Sequence, residues 1–172
     1  MQYAHGGDIY TYKNLLDFSI NVNPLGPADA VVEAAARSLQ RIGEYPDSRS
    51  RELRNALAEK KGLEAERFVI GNGAADLLFS LVLAEKPQKA MIVIPAFSEY
   101  EQALKTVGCE ILYHEVKKEN NFRLGTDLTE KITSELDFLF LCSPSNPAGQ
   151  AVEKEFLIKI AEKCEKERVR LV

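Results

Sequence analysis

The chain has 172 residues, of which 45% are hydrophobic, and a formal net charge of −4 from 22 basic and 26 acidic residues. This length allows one domain with a hydrophobic core, and the acidic balance argues against a nucleic-acid or anionic-membrane partner. No apolar run approaches the roughly 20 residues of a membrane span, and three widely spaced cysteines indicate neither a disulfide framework nor a zinc site, so we expect a cytoplasmic protein without a signal peptide.

The first third of the chain predicts two helices after an irregular arm. Pro27 can open an amphipathic helix over residues 28–41, because proline lacks the N–H that the first helical position leaves unpaired. A second helix over residues 50–61 ends at Gly62, since glycine readily adopts the left-handed conformation of a helix C-terminus. We expect residues 1–43 to form an N-terminal arm and helix.

From residue 68 onward, short apolar strands alternate with helices. The predicted strands are residues 68–70, 90–94, 110–116, 138–142 and 169–172. The predicted helices are residues 74–85, 98–107 and 153–166, with a short helix or turn at 128–134. This alternation predicts an α/β fold, a three-layer α/β/α arrangement with a mostly parallel sheet. We assign residues 44–172 to the N-terminal part of that larger domain, and we expect the chain to be a fragment, because a strand begins at its end with nothing after it.

The junction between the first predicted strand and its helix has the pattern of an anion site. Phe68-Val69-Ile70 reads as a short buried strand, and Gly71-Asn72-Gly73 makes a tight turn into a helix that begins at about Ala74. That helix is apolar nearly all round, so we expect it to be buried. The first turn of a helix has unpaired N–H groups and partial positive charge, which predicts a phosphate site here. A purely structural glycine turn is the alternative.

Two further loops follow strands at the same edge of the predicted sheet, where open α/β sheets bind their ligands. The first loop contributes the aromatic ring of Phe97, and the second contributes the amide of Asn146. Together with the phosphate site they predict a pocket for a flat, phosphorylated, hydrogen-bonding ligand. The alternatives are core or helix-entry packing for Phe97 and a turn role before proline for Asn146.

Three motifs in these loops resemble those of a known family. They are Gly-Asn-Gly-Ala-Ala-Asp at 71–76, Pro-Ala-Phe-Ser-Glu-Tyr at 95–100 and Ser-Pro-Ser-Asn-Pro-Ala-Gly at 143–149. In order and spacing they resemble the large domain of fold-type I pyridoxal-phosphate enzymes, most closely the histidinol-phosphate aminotransferase group. The His-Gly-Gly opening at 5–7 and the segment at 17–26 resemble a related group, the threonine-phosphate decarboxylases of cobalamin synthesis. The resemblance covers essentially the whole chain.

The resemblance implies which residues bind the cofactor, pyridoxal 5′-phosphate. The backbone at Gly73, Ala74 and Ala75 would hold the cofactor phosphate, as the helix-terminus argument also predicts. Phe97 would stack on the pyridine ring, in a position where many relatives have tyrosine. Asn146 would donate a hydrogen bond to the phenolic oxygen and so tune the conjugated ring.

The resemblance also implies residues near the substrate and the subunit interface. Tyr45 matches the tyrosine that reaches the cofactor phosphate of a neighbouring subunit, which implies a homodimer with shared active sites. His5 and Asn23 match positions near the substrate and its phosphate. For His5, a mobile terminal histidine without a role is the alternative.

The function that follows is a pyridoxal-phosphate-dependent enzyme acting on a small phosphorylated amino compound, of the threonine-phosphate decarboxylase type. A histidinol-phosphate aminotransferase or related aminotransferase is the alternative within the family. The alternatives of another class are a nucleotide-binding module, against which the missing Gly-x-Gly-x-x-Gly pattern argues, and a non-catalytic association module.

The resemblance places the catalytic residues outside this stretch. We expect the lysine that forms the Schiff base with the cofactor, the aspartate that pairs with its ring nitrogen and the substrate-binding arginines to lie beyond Val172, with the rest of the large domain and a C-terminal small domain. Lysines such as Lys105 and Lys154 lie on charged faces of predicted helices, which indicates solvated positions. The 172 residues alone are therefore expected to be inactive.

Overall fold

The structure is a computed structural model that describes residues 6–13 and 15–172. The chain divides into two compact units, residues 1–68 and residues 69–172. The sequence-based division at residue 43 stays a proposal. His5 lies outside the described residues. In the described part of the chain, no helix has both the length and the apolar character needed to cross a bilayer.

The first unit contains two helices joined by short turns. Helix α1 is Asp29–Ser38, extended by a 3-10 turn at Leu39–Arg41, and helix α2 is Arg51–Lys61, followed by a 3-10 turn at Ala65–Arg67. Gly62 ends α2 with φ +65°, as predicted. The prediction that Pro27 opens α1 is wrong, because Ala28 is extended (ψ 143°) and the first helical residue is Asp29.

No described residue of the first unit is buried. Local contacts therefore hold its helices. The carboxylate of Asp47 accepts hydrogen bonds from the N–H groups of Arg49 and Arg51, at 3.1 and 2.9 Å, and from the Arg51 guanidinium. These donors, the Arg51 side chain above all, hold the pKa of Asp47 well below its usual range. Asp47 thus fixes the chain at the entry to α2.

The second unit is built on four parallel strands. The strands are β1 Lys89–Ile94, β2 Glu110–Glu115, β3 Phe138–Phe140 and β4 Arg170–Leu171. The helices are α3 Gly73–Glu85, α4 Ser98–Thr106, α5 Leu128–Lys131 and α6 Lys154–Glu167. The sheet order is β2-β1-β3-β4, with Ile92 of β1 opposite Tyr113 of β2 and Phe140 of β3. The predicted α/β class with a mostly parallel sheet is confirmed.

Alternate residues of β1 pack into two different hydrophobic cores, one on each face of the sheet. Ala90 and Ile92 pack with side chains of α3 and α4 on one face of the sheet. Met91 and Val93 pack with side chains of α5 and α6 on the other face. This alternation follows from the two-residue period of a strand, and it produces the predicted three layers.

Two predictions around residue 70 are wrong. Phe68-Val69-Ile70 is an irregular connection and not a strand, since no described strand pairs with it and Val69 is 77% exposed. Helix α3 is also not buried all round, because only Val82 is buried and Leu83 remains 51% exposed. A helix that packs against one sheet face buries only the side toward that face, whatever its composition on the other sides.

His114 is the buried histidine of the second unit, with 3% of its surface exposed. The Lys131 ammonium lies 3.0 Å from Nδ1 of His114, and it also pairs with Asp127 at 3.1 Å. An ammonium can only donate, so neutral His114 accepts at Nδ1. Burial, followed by the charge of Lys131, lowers the pKa of His114, and Asp127 opposes this only in part.

Protonation of His114 should therefore destabilise the fold. A lowered pKa means that the unfolded chain binds a proton more readily, so the stability from neutral His114 is complete above about pH 6.5 and declines as the pH falls toward the folded pKa. Urea unfolding between pH 7.5 and 5.5 measures this, with His114→Gln as the non-titrating control. The wild-type chain should lose more free energy of unfolding over this range than the variant. Equal losses of unfolding free energy in the wild-type chain and the variant would contradict a lowered pKa for His114.

Candidate functional site

The turn into α3 leaves open space beside Gly73, where the sequence predicts a phosphate site. Gly73 has φ +83°, a conformation that favours glycine, and a Cβ built on it would meet no atom within 4 Å. Gly71, in contrast, is enclosed by the side chains of Leu77 and Asp76. The turn is thus fixed from one side and accessible at Gly73.

The first turn of α3 has two N–H groups that make no hydrogen bond to any described residue. The Asp76 carboxylate accepts a hydrogen bond from the Asn72 N–H at 2.8 Å, and the Gly73 N–H donates to the Gly71 carbonyl at 2.9 Å. The Asn72 side chain does not cap the helix, and no hydrogen bond found among the described residues takes up the N–H groups of Ala74 or Ala75. Two free donors at the positive end of a 13-residue helix fit an anion such as a phosphate.

Phe97 lies where β1 passes into α4. It is the half-buried N-cap residue of α4, and its ring meets that of Tyr100 edge-on, with centroids 6.0 Å apart. Phe97 belongs to neither hydrophobic core cluster formed by the described residues. A partly accessible ring held from one edge can stack on a planar ligand.

Tyr100 makes aromatic contacts in this region that the sequence interpretation missed. The Tyr100 ring stacks on Phe140, with ring centroids 5.1 Å apart. Burial above all, and then the side chain of Cys142, raise the pKa of Tyr100 to about 12. The helical spacing of Phe97 and Tyr100 could have indicated their contact, whereas nothing in the sequence pairs Tyr100 with Phe140.

Asn146 lies in a loop that its own serines hold together. The Ser143 hydroxyl accepts from the Val152 N–H at 3.0 Å, and the Ser145 hydroxyl accepts from the Gln150 N–H at 3.1 Å. The peptide bonds before Pro144 and Pro147 are cis. Asn146 is exposed, and no described residue hydrogen-bonds its side chain, so the amide is available to a ligand.

The topology brings the Phe97 and Asn146 loops to one edge of the sheet. Strands β1 and β3 are parallel neighbours, and each leads at its carboxyl end into one of the two loops. Helix α3 packs on the same sheet face as α4. The three segments can therefore supply anion-binding N–H groups, an aromatic face and a side-chain amide to one planar, phosphorylated molecule. No acidic, histidine or cysteine cluster suited to a metal occurs among the described residues.

The remaining predicted site residues belong to the first unit or fall outside the description. Tyr45 is fully exposed. The Asn23 side chain closes its own turn, since its amide nitrogen donates to the Gly26 carbonyl at 3.1 Å and its oxygen accepts from the Leu25 N–H at 3.0 Å. His5 lies outside the described residues, so its predicted substrate contact stays a prediction.

Comparison with known proteins gives a family and named relatives. The family model described as aminotransferase class I and II matches residues 13–172. A threonine-phosphate decarboxylase of Salmonella typhimurium is 37% identical over 98% of this chain and 49% of its own length. A histidinol-phosphate aminotransferase of Methanococcoides burtonii is 35% identical over 87% of this chain and 42% of its own length. The chain thus spans about half the length of these relatives, or less.

A solved structure agrees with both the sequence match and the fold. The crystal structure of the histidinol-phosphate aminotransferase from Clostridium acetobutylicum has a TM-score of 0.78 and 27% identity to this chain, covering 91% of this chain and 46% of its own. The resemblance that the three motifs indicated is confirmed. Since the family model covers nearly the whole described sequence, the chain belongs to the class I and II aminotransferases.

Proposed function

We propose that this chain is part of an enzyme that uses pyridoxal 5′-phosphate to act on a small phosphorylated amino compound, as a threonine-phosphate decarboxylase does. The class I and II aminotransferases are pyridoxal-phosphate enzymes. The observation that carries the proposal is the pair of N–H groups at Ala74 and Ala75 that no described residue accepts. They lie at the start of a helix that packs on the same sheet face as α4, the helix that Phe97 caps.

The proposed roles follow from the chemistry of each group. The N–H groups of Ala74 and Ala75 bind the cofactor phosphate, and the absent side chain at Gly73 leaves space for it. Phe97 stacks on the pyridine ring, and the Asn146 amide donates to the phenolic oxygen. When bound, the cofactor ring serves as an electron sink for bond breaking at the substrate's α-carbon. The protein residues named here bind and orient that ring.

The relatives favour a phosphorylated substrate. A second relative with the decarboxylase name, a putative threonine-phosphate decarboxylase, is 40% identical over 95% of this chain. The histidinol-phosphate aminotransferase relative at 35% supports transamination of a different phosphorylated amine as the second candidate. Both candidates share the cofactor and a substrate phosphate, and they differ in which bond of the substrate is broken.

We propose a homodimer with shared sites, because the exposed Tyr45 hydroxyl is accessible to a cofactor phosphate of another subunit. Asn23 and His5 are proposed to contact the substrate. For Asn23 this is compatible with its turn, since its amide nitrogen and oxygen each have one further hydrogen-bonding position.

We also propose that residues 1–172 alone do not turn over substrate. None of the three motif segments contains a lysine, and covalent attachment of the cofactor requires one. Incubation of the chain with pyridoxal 5′-phosphate and threonine phosphate should release no carbon dioxide, and borohydride should label no single lysine to completion. Turnover with one stoichiometrically labelled lysine would contradict this proposal.

Removal of the Phe97 ring should weaken cofactor binding. Pyridoxamine 5′-phosphate is a suitable probe, because it has no aldehyde to react with surface lysines. Phe97→Ala should reduce its affinity by about 1 kcal/mol or more, roughly fivefold, through loss of ring stacking. Calorimetric titration measures this.

The matched control is Phe156→Ala, which removes a ring of α6 that packs on the opposite face of the sheet. It should lower the free energy of unfolding and leave the affinity unchanged. Equal affinities of wild type and Phe97→Ala for pyridoxamine 5′-phosphate would instead indicate that Phe97 only packs within the protein.

A further inference from the structure

We propose that Ser19 is a positioning residue that clasps Gly6 and Gly7, and so holds the chain next to His5 in a fixed relation to the segment that leads to Asn23. The clasp is the set of contacts that Ser19 makes with the two glycines, all within the first unit. This inference rests on the proposed function, in which His5 and Asn23 contact the substrate. The role of Ser19 is to hold the backbone and not to touch the substrate.

The backbone at Gly6 lies directly against Ser19. A Cβ built on Gly6 would be 2.3 Å from the Ser19 carbonyl oxygen and 2.6 Å from its hydroxyl oxygen, closer than real Cβ atoms approach other atoms. Only glycine fits this approach, because every other residue carries a Cβ. Gly7 lies close to the next residue, since a Cβ built on it would be 3.2 Å from the Ile20 side chain. The two glycines thus permit the arm to fold back on itself.

A hydrogen bond closes the clasp. The Gly7 N–H donates to the Ser19 hydroxyl oxygen at 2.8 Å, across 12 residues of sequence. The hydroxyl in turn donates to the Asp17 carboxylate at 2.5 Å, and the Ser19 N–H donates to the same oxygen at 2.8 Å. With its proton directed to Asp17, the hydroxyl presents a lone pair to Gly7. These bonds lower the pKa of Asp17, so its carboxylate is ionised and accepts them at neutral pH.

Both sides of the clasp continue into turns with hydrogen bonds of their own. On one side, the Gly7 carbonyl accepts from the Ile9 N–H at 2.8 Å, and the Asp8 carboxylate accepts from the Thr11 N–H at 2.9 Å. On the other side, the Asn23 side chain closes the turn that follows. The clasp therefore joins two locally ordered segments.

The clasp matters because the two proposed substrate contacts belong to its two sides. His5 directly precedes Gly6, and Asn23 follows Ser19 by four residues. Closing the loop in the free protein removes conformational freedom before the ligand binds, so less is lost on binding. The ligand that gains is a small phosphorylated amino acid, since an imidazole and a side-chain amide can both donate to phosphate oxygens.

Substitutions at Ser19 and Gly6 separate the clasp from the general stability of the arm. Ser19→Ala removes the hydroxyl that accepts from Gly7, and Ser19→Thr restores a hydroxyl. Gly6→Ala places a Cβ where the Ser19 backbone stands. The control is Gly43→Ala, at a glycine of the same unit where an added Cβ would meet no atom within 4 Å.

Exchange of the Gly7 amide proton with water, measured by NMR, reports the clasp in the chain without ligand. Exchange should become roughly fivefold faster in Ser19→Ala, the size expected for the loss of one hydrogen bond. It should also become faster in Gly6→Ala, because the added Cβ forces the two segments apart. Ser19→Thr and Gly43→Ala should keep the wild-type rate.

Ligand affinity shows whether the clasp positions the substrate contacts. In NMR titrations, Ser19→Ala and Gly6→Ala should bind O-phospho-L-threonine roughly threefold more weakly than wild type, through the lost pre-organisation. Their affinity for pyridoxamine 5′-phosphate should stay unchanged, because its proposed contacts are made mainly by the second unit, whereas a general loss of folding would weaken both. Ser19→Thr should restore the affinity. In a His5→Ala background the loss from Ser19→Ala should disappear, because the clasp then has no His5 side chain to position.

Faster Gly7 exchange together with a loss of affinity confined to O-phospho-L-threonine supports the inference. Unchanged Gly7 exchange in Ser19→Ala overturns it, as does an unchanged affinity for O-phospho-L-threonine or a loss that adds independently to that of His5→Ala. A wild-type chain that binds pyridoxamine 5′-phosphate but not O-phospho-L-threonine also overturns it. A wild-type chain that binds neither ligand overturns the proposed function itself, and Gly7 exchange then still shows whether the clasp forms. Ser19→Ala decides the matter if Gly6→Ala does not fold.

Discussion

The parallel pairing of β1 with β3 is the constraint on which the candidate site depends. The two strands lie next to each other, although 43 residues separate the end of β1 from the start of β3. Because they run in the same direction, the residues after Ile94 and after Phe140 emerge at one edge of the sheet. Apart from the N-terminus of α3, the binding groups that the second unit contributes to the candidate site lie in those two loops. The helices on both faces bury the ladder and hold its register.

Much of this arrangement could be predicted from the sequence, and the failures have physical reasons. The predictions of a strand at 90–94 and a helix at 98–107 agree with β1 and α4 to within one residue at each end. Phe68-Val69-Ile70 does not form the strand that its composition predicts, since three apolar residues carry no period and strand pairing depends on a distant partner. The exposure of Leu83 was missed because composition alone does not say which side of a helix has a neighbour. The stacking of Tyr100 of α4 on Phe140 of β3 joins elements that are distant in the chain, and no local pattern encodes it.

The family match and the geometry contribute different parts of the account. The match covers residues 13–172 and supplies the cofactor, although the chain spans about half of its relatives or less. The geometry supplies reasons why particular groups suit that cofactor: an accessible ring, together with N–H groups at a helix start and a side-chain amide that no described residue pairs with. Both lines of argument meet at the start of α3, where the physical requirement is simplest, because a phosphate needs only donors and positive potential there.

The most direct test of the account is an amide chemical-shift titration with pyridoxamine 5′-phosphate, with variants that delete one N–H group each. Ala75→Pro removes a donor from the first turn of α3, and Glu155→Pro removes one from the first turn of α6 on the opposite sheet face. The account predicts large shifts at Gly73–Ala75 and roughly tenfold weaker binding for Ala75→Pro, with wild-type affinity for Glu155→Pro. Unmoved amides at Gly73–Ala75, or equal affinities for the two variants, would contradict it.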